Sequence, residues 1–419
     1  MRRRDRPSDA RRVCIVGSLA PPPGGVATYC AYLVAGLSHH GWQVTFADTR
    51  STLRVSPVRG LRSYHPAAPR RNLLASLNPT KGVSIRNRDR ALTELVATLP
   101  LKERVRVIGL RDRLSSILRR QPVEVVHGMH AGVRSLGALW AAKLSNSPFM
   151  LTVFGSEFVS PALQTYLPVA RFVCTRADTV VAISKHSASV ARKAGVDRPI
   201  EIVYPGIDFA RYEQSRVPAG FHKRYGLRRG VPIVLYAGAL IERKGPQVLL
   251  AALNHLPEAV RRVFEVVLIG PDLGLRKHLE LTVKRNRWSS VHVVGEVPPA
   301  AVPAFYRAAD IFVFPTITQD EGFGLVAVEA AAAGCAIIAS RIGAIPEVVA
   351  EEKNALLFSP GNAVELAQSL QQLLSDAPRR AGLQRASPSV AKRFSWESTA
   401  LNMHKLCVNL ARTLSVKHG

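Results

Sequence analysis

Short apolar runs alternate along this chain with longer segments in which apolar residues recur at helical spacing. Runs rich in β-branched and aromatic residues and closed by Gly, Pro or Asp are typical of buried strands. Such runs lie at residues 13–17, 43–48, 123–127, 149–154, 179–183, 200–204, 233–239, 266–270, 291–295, 311–314 and 335–339. Strands that alternate with helices form parallel, doubly wound sheets, so the pattern predicts an α/β protein.

The helical segments and a break in the strand series predict two domains. Helices are predicted at residues 26–37, 133–144, 246–253 and 325–333, and from 394 to about 414. A chain of 419 residues is long enough for two cores. We predict a Rossmann-like domain at 1–210, a linker at 211–230, a second Rossmann-like domain at 231–394 and a C-terminal helix at 395–419.

Residues 310–347 contain the most informative pattern in the chain, a predicted βαβ unit with a glycine-rich loop. A buried strand, a loop with Gly322 and Gly324, a helix that stops at Gly334 and another strand make a βαβ unit. The helix amino terminus then lies at the carboxyl end of the first strand, where free N–H groups and the helix dipole favour an anion. The two loop glycines let a phosphate approach the backbone.

Two carboxylates flank this predicted anion site. Glu321 lies in the loop before the helix, and Glu329 lies about two turns along it among alanines. A carboxylate that is packed so tightly needs partners, which the hydroxyl groups of a ribose or sugar would supply. The alternative is that Glu329 is a solvated helix residue and that Glu321 only complements the dipole.

A second glycine loop carries two cations. Arg243 and Lys244 directly precede Gly245 and the helix predicted at 246–253. Cations at a helix start oppose its dipole, and a bound diphosphate would reverse that effect. The alternative is an exposed pair on a basic protein.

The first predicted domain holds two weaker candidates. Gly24 and Gly25 end a proline-rich loop between strand and helix, but their spacing is not that of a dinucleotide-binding loop. His127 lies at the carboxyl end of its predicted strand, where such sheets bind ligands. This histidine is either a ligand contact or a structural residue.

The net charge of the chain indicates which kind of partner the protein binds. Lys plus Arg number 57 against 30 for Asp plus Glu, a net charge of +27, so the partners are expected to be anionic. Basic residues concentrate at 2–12 and in a basic insertion predicted at about 51–120, of which 51–90 is either a solvated loop or a membrane-facing segment. Because basic and aromatic residues are not interleaved, we predict no nucleic acid partner.

The cysteines argue against a disulfide framework and against a zinc site. The five cysteines are scattered and lack C-x-x-C spacing. The apolar run at 13–19 is too short to span a membrane, and we expect a cytoplasmic protein without a secretion signal.

The motif E-G-F-G-L-V-A-V-E, with P-G-I-D at 205–208 and K-G at 244–245, resembles the retaining glycosyltransferases of family 4. The resemblance implies the GT-B fold: two Rossmann-like domains that face a cleft, with a C-terminal helix that crosses back to the first. It implies a nucleotide-diphosphate sugar donor. Glu321 would lie by the donor sugar and Glu329 by the ribose. The other implied donor contacts are Lys244 on the diphosphate, Gly322, Phe323, Gly324, Leu325, Gly24 and Gly25.

Two positions depart from the family pattern. Phe154 stands where the family has a histidine, so His127 or His130 could take over part of that role in acceptor binding. Ala239 stands where the family often has an arginine, which makes Arg243 the candidate second cation on the diphosphate.

Metal-dependent transferases of the other common fold carry an Asp-x-Asp pair, which this chain lacks, so the resemblance implies neither a metal nor a cofactor. The residues and the resemblance together predict a retaining, metal-independent glycosyltransferase. The surplus of positive charge favours a lipid-linked acceptor in cell-surface polysaccharide or glycolipid synthesis, with the protein cytoplasmic or peripheral on the inner face of the cell membrane. The alternatives are a soluble saccharide or other small-molecule acceptor, and a non-catalytic sugar-nucleotide-binding protein of the same fold.

Overall fold

A computed structural model of the chain describes residues 11–17, 25–48, 62–63 and 90–417, without the side chains of 62–63 and 413–417. The chain divides into two units. The first unit comprises Met1–Pro205 and Trp396–Gly419, and the second comprises Gly206–Ser395.

The described part of the first unit is built on a parallel sheet of seven strands. The strands are β1 Arg12–Gly17, β2 Gln43–Asp48, β3 Arg62–Ser63, β4 Val125–Met129, β5 Phe149–Val153, β6 Thr179–Ala182 and β7 Ile200–Ile202. Their order is β3-β2-β1-β4-β5-β6-β7, and every pair is parallel. The chain starts in the middle of the sheet, extends it to one side and then to the other, which makes the sheet doubly wound.

The second unit repeats this plan with six strands. The strands are β8 Ile233–Ala237, β9 Glu265–Ile269, β10 Val291–Gly295, β11 Ile311–Phe314, β12 Ala336–Ser340 and β13 Ala355–Phe358. Their order is β10-β9-β8-β11-β12-β13, again all parallel. The predicted α/β fold of two doubly wound parallel sheets is therefore confirmed.

Helices connect the strands in both units. The first unit contains α1 Gly25–His39, α2 Arg90–Thr98, α3 Leu101–Arg120, α4 Val133–Leu144, α5 Ser156–Val159, α6 Leu167–Arg176 and α7 Lys185–Lys193, with a 3-10 helix at Pro161–Tyr166. The second contains α8 Phe209–Glu213, α9 Phe221–Tyr225, α10 Pro246–Asn254, α11 Glu258–Arg261, α12 Arg276–Arg285, α13 Val302–Ala308, α14 Leu325–Ala332, α15 Ile345–Val348, α16 Ala363–Ser375 and α17 Ala377–Ala391, with a 3-10 turn at Glu242–Lys244.

The central strands are buried along their whole length because helices cover both faces of each sheet. Strands β4, β5, β8, β9, β11 and β12 show no exposed residue. This is why they appear in the sequence as continuous apolar runs rather than as alternating ones.

The last helix, α18 Trp396–Lys417, returns to the first unit. Trp396 stacks on Tyr32 of α1 with ring centroids 4.6 Å apart. Gly36 of α1 lies so close to α18 that a Cβ there would be 2.4 Å from the Cβ of Ala400. Helix α18 therefore covers the face of α1 that contains Tyr32 and Gly36.

The predicted basic insertion at 51–120 needs a correction. Its last part forms α2 and α3, and α3 packs against α4 with Val107, Leu110 and Leu114 in the core of the first unit. The apolar residues of α3 recur at helical spacing between the basic ones, so α3 is a core helix with a charged, solvated face and not part of an insertion. Residues 51–61 and 64–89 lie outside the described residues.

The passage between the units also differs from the predicted linker. Within 211–230 the structure has most of α8 and all of α9. Phe221 packs on Phe305 of α13 with ring centroids 5.0 Å apart, which joins this stretch to the second unit.

Candidate functional site

The loop between β11 and α14 is shaped by proline and glycine. Pro315 follows β11, and Gly324 begins α14 in the left-handed region with φ 93°. A Cβ on Gly324 would lie 3.0 Å from the ring of Phe314, so both backbone conformation and space favour glycine. Among the described residues no side chain caps α14, and the first turn of this helix contains no acidic residue. Its amino-terminal N–H groups are therefore suited to an anion.

The loop that carries Arg243 and Lys244 is docked against the loop after β11. The Arg243 carbonyl accepts hydrogen bonds from the Thr316 hydroxyl and the Ile317 N–H, each at 3.0 Å. Gly245 has φ 74°, and a Cβ there would lie 1.9 Å from the Pro315 carbonyl oxygen. Only glycine allows so close an approach, and the approach brings both cations to the start of the β11–α14 loop.

Each cation faces a carboxylate. The Lys244 ammonium forms an ion pair with Glu321, and both side chains are largely buried. The Arg243 guanidinium lies 3.5 Å from Asp320, whose carboxylate also accepts a hydrogen bond from Thr318. The sequence predicts that a bound diphosphate compensates the two cations, and the structure in addition places two consecutive acids against them. Asp320 is a site residue that was not predicted, although it directly precedes Glu321 in the chain.

Glu329 has two tyrosine partners within the protein. The Tyr306 hydroxyl donates to Glu329 Oε2 at 3.0 Å, and Tyr212 is also hydrogen-bonded to this carboxylate. Burial raises the pKa of Glu329, while the two phenols and the Arg211 charge act to lower it. Three groups therefore favour the ionised form of a carboxylate that burial disfavours.

The other residues predicted around the anion site differ in exposure. Gly322 and Leu325 are partly buried, so part of their surface is accessible. Phe323 is buried, and its ring packs edge-on against Phe394 with centroids 5.4 Å apart. Any contact of Phe323 with a ligand would therefore come from its main chain.

The first unit has a cavity of about 570 Å³ at the carboxyl ends of β1 and β4. Its lining includes the first residues of α1 and α4, among them Gly25 and Val133, and the side chains of Arg106, His130 and Glu157. Gly24 lies outside the described residues. Neither helix has an acidic residue in its first turn. The cavity therefore combines polar side chains with two helix amino termini.

His127 is not accessible to an acceptor in this structure, which corrects that candidate role. The residue has no exposed surface, and its Nε2 lies 2.8 Å from the Thr152 hydroxyl. Burial lowers the pKa of His127 to about 3, so the ring is neutral at physiological pH. A β4 residue that points into the core cannot contact a ligand at the sheet edge.

His130 lines the cavity instead. It follows β4 and has φ 68°, a left-handed conformation that is uncommon outside glycine. Its Nε2 lies 3.9 Å from the carboxylate of Glu157, which is buried. Strained backbone of this kind is concentrated at functional sites, so His130 is the histidine that the geometry favours.

Phe154 is buried beside this cavity. Its ring lies edge-on to Tyr29 at 5.6 Å and nearly parallel to His130 at 6.4 Å. Glu157 accepts hydrogen bonds from the N–H groups of Phe154 and Ala131. Glu157 thus ties the loops after β4 and β5 together, a role that sequence reasoning missed because the two loops meet only in the folded sheet.

The described residues contain neither a metal-binding cluster nor a membrane-spanning helix. No group of three or more His, Cys, Asp or Glu side chains there is placed to hold a metal ion. No helix among the described residues is both long and apolar enough to cross a bilayer.

Comparison with known families identifies the class of protein. The family described as "Glycosyltransferase Family 4" matches residues 23–211, and the family described as "Glycosyl transferases group 1" matches residues 220–390. The chain belongs to the group 1, family 4 glycosyltransferases, as the sequence motifs predicted.

Curated relatives agree with this assignment. The chain is 31% identical over 291 residues to a D-inositol 3-phosphate glycosyltransferase of Xylanimonas cellulosilytica, a match that covers 68% of this chain and 66% of the relative. It is also 31% identical over 291 residues to the enzyme of that name from Corynebacterium urealyticum, with 66% of this chain and 67% of the relative covered. The chain thus spans about two thirds of the length of these two relatives.

Solved structures show the same fold at lower identity. Sucrose-phosphate synthase from Thermosynechococcus elongatus has a TM-score of 0.76 at 21% identity, with 96% of this chain and 100% of that chain covered. Anabaena HepE in complex with UDP has a TM-score of 0.70 at 19% identity, with 95% and 100% covered.

Proposed function

We propose that this protein transfers a sugar from a nucleotide-diphosphate donor to an acceptor hydroxyl, with retention of anomeric configuration. The observation that carries the proposal is the group of Lys244, Arg243 and Glu321 beside the uncapped amino terminus of α14. A diphosphate is the ligand that this combination of cations and N–H groups suits. Membership in a glycosyltransferase family supports the same chemistry.

The main demand of the reaction is to stabilise charge on the departing diphosphate. The bond from the anomeric carbon to the phosphate oxygen breaks, and the bond from that carbon to the acceptor oxygen forms on the same face. The acceptor proton passes to the leaving phosphate, so no protein base is required. Lys244, Arg243 and the N–H groups of α14 would hold the phosphate.

Glu321 has a second role in this proposal. A diphosphate that binds Lys244 competes with the carboxylate for the ammonium, because both are anions. Once the ion pair opens, Glu321 can accept hydrogen bonds from the hydroxyls of the donor sugar. The ion pair with Lys244 thus keeps the carboxylate close to where the sugar would bind.

The donor can be identified by ligand-induced stabilisation. A ligand that binds the folded state raises its melting temperature. UDP, GDP and ADP, each free and as its glucose derivative, form a suitable panel, since HepE was solved with UDP. We expect one base to stabilise the protein most, and stabilisation by none would contradict the donor proposal. Proton NMR of the transferred sugar then tests retention.

Metal independence follows from the same cations. Arg243 and Lys244 supply fixed positive charge where other transferases use a divalent ion. Turnover should therefore persist in excess EDTA. Loss of turnover in EDTA with rescue by magnesium or manganese would contradict this part of the proposal.

The first candidate acceptor is a small, hydroxyl-rich molecule. The cavity of about 570 Å³ in the first unit is the size of sites that hold small ligands. The two curated relatives named for D-inositol 3-phosphate favour an acceptor of this kind. Mass spectrometry of a reaction with the identified donor and D-inositol 3-phosphate should show the added hexose, and an unmodified acceptor would exclude this compound.

The second candidate is a lipid-linked acceptor, which the net charge of +27 favours. Each Lys or Arg near an anionic bilayer contributes about 1 kcal/mol, so a small group suffices for reversible binding. In flotation assays the protein should bind vesicles that contain phosphatidylglycerol, and less so as salt increases. Equal recovery with neutral vesicles, or none with either kind, would exclude docking through charge.

The non-catalytic alternative predicts a different result. A sugar-nucleotide-binding protein would be stabilised by a nucleotide sugar but would neither transfer nor slowly hydrolyse it. Release of free nucleoside diphosphate, measured with and without acceptors, separates the two.

A further inference from the structure

Glu329 is held by phenol groups from two other helices. Tyr306 lies on α13 and its hydroxyl donates to Glu329 Oε2 at 3.0 Å. Tyr212 lies on α8 and is hydrogen-bonded to the same carboxylate. The carboxylate is therefore held by donors from both neighbouring helices.

The two phenol rings are themselves held by packing. Tyr306 is 1% exposed, and its ring meets that of Tyr212 edge-on with centroids 5.8 Å apart. The other side of Tyr306 contacts Phe312 of β11 at 5.5 Å. Neither ring can turn without disturbing the core, so the direction in which the Tyr306 hydroxyl points is set by the sheet.

The carboxylate has acceptor capacity beyond these two hydrogen bonds. An ionised carboxylate offers about four lone-pair sites, and two phenol donors occupy two of them. Glu329 also keeps part of its surface accessible. Hydroxyl groups of a ligand could therefore bind a carboxylate whose orientation is fixed before the ligand arrives.

We propose that Tyr306 and Tyr212 are positioning residues that hold Glu329 for the ribose hydroxyls of the nucleotide. This inference rests on the proposed function and on the ribose contact that the family resemblance implies for Glu329. The tyrosines touch the carboxylate and not the reacting atoms, so their effect is on recognition of the ribose and not on bond cleavage.

Ribose discrimination tests the inference without a turnover assay. Dissociation constants are measured by calorimetry for the nucleoside diphosphate that the panel identifies and for its 2′,3′-dideoxy analogue. A hydrogen bond to a charged group contributes about 1.5–3 kcal/mol, so wild type should favour the ribose form about tenfold or more. Tyr306→Phe and Tyr212→Phe should each reduce this preference several-fold, and Glu329→Gln should reduce it most.

Tyr225→Phe is the matched control. Tyr225 also packs on α13, through Phe305 at 4.7 Å, but the contacts described for Glu329 do not include it. Tyr225→Phe also removes one phenol hydroxyl, but it should leave the preference for the ribose form over the dideoxy form unchanged. Melting curves of all variants identify any that fail to fold, and the two tyrosine variants give independent measurements.

Two results would overturn the inference while leaving the donor proposal intact. One is a Tyr306→Phe protein that binds both nucleotides more weakly by the same factor, which would make the tyrosine purely structural. The other is a wild-type protein that binds the nucleoside diphosphate but does not distinguish the dideoxy form. Failure of the wild type to bind every nucleotide of the panel would instead contradict the proposed function itself.

Discussion

Lys244 and Glu321 form an ion pair although 77 positions separate them in the chain. The contact exists because Gly245 allows the loop before α10 to approach the Pro315 carbonyl. The Arg243 carbonyl also accepts hydrogen bonds from Thr316 and Ile317, which hold the two loops together. Two loops at the carboxyl ends of neighbouring strands, β8 and β11, thereby share one charged site.

Removal of the Lys244 charge should impair the chemical step. We expect Lys244→Ala to lower kcat about a hundredfold, which is the usual effect of losing one group that stabilises oxyanion charge. Arg243→Ala should have a smaller effect, because Arg243 is more exposed. Kinetics at saturating donor measure this, with Lys277→Ala on the exposed face of α12 as the charge-matched control. Wild-type kcat in both site variants would remove the pair from the mechanism.

The carboxylates of Glu321 and Glu329 should give different kinetic defects. Glu321→Gln should lower kcat, since this carboxylate meets the reacting sugar in the proposed site. Glu329→Gln should mainly raise the KM for the donor, because it removes a contact present before and during reaction. If both variants had normal kinetics and only a lower melting temperature, the carboxylates would be structural.

Gly245→Ala should disturb the site through the backbone. A left-handed conformation for alanine costs about 1–3 kcal/mol, and the added Cβ would also displace the Pro315 carbonyl. We expect a lower free energy of unfolding in urea and a fall in kcat larger than tenfold as Lys244 moves. Gly382→Ala is the control: nothing lies within 4 Å of its Cβ position in α17, and it should stabilise by up to about 1 kcal/mol. Normal turnover of Gly245→Ala would show that the approach is dispensable.

His127 should make the protein less stable in mild acid. Its pKa is about 3 when folded and 6.5 when free, so the unfolded chain binds more protons between these values and stability falls as pH falls. From pH 7 to pH 5 this residue should lower the free energy of unfolding by about 2 kcal/mol. Urea titrations at both pH values should show a smaller loss in His127→Gln, and an identical pH dependence would contradict the buried neutral ring.

Hydrophobic pattern alone was enough to predict most of the fold. Strands such as β2 and β11 and helix α4 have the bounds that the sequence predicted, because a parallel sheet buried on both faces leaves continuous apolar runs. The basic residues of α3 predict an insertion, whereas the structure places the apolar face of this helix in the core of the first unit.

The hydrogen-bond and ion-pair partners of the site residues could not be predicted from the hydrophobic pattern. Tyr306 and Tyr212 reach Glu329, and Asp320 reaches Arg243, only because the sheet brings distant segments together. Hydrophobic periodicity predicts which face of an element is buried, but not which polar atoms meet across it. His127 is a second example. Its predicted position at the carboxyl end of a strand does not reveal that the ring points into the core.

Helix α18 has a consequence for synthesis of the protein. The first unit contains residues from both ends of the chain, with the second unit between them. Because a ribosome makes the chain from the amino terminus, the face of α1 around Tyr32 and Gly36 stays uncovered while all of the second unit is translated. The second unit can thus finish folding first, and a nascent chain arrested before Trp396 should be the form on which chaperones act.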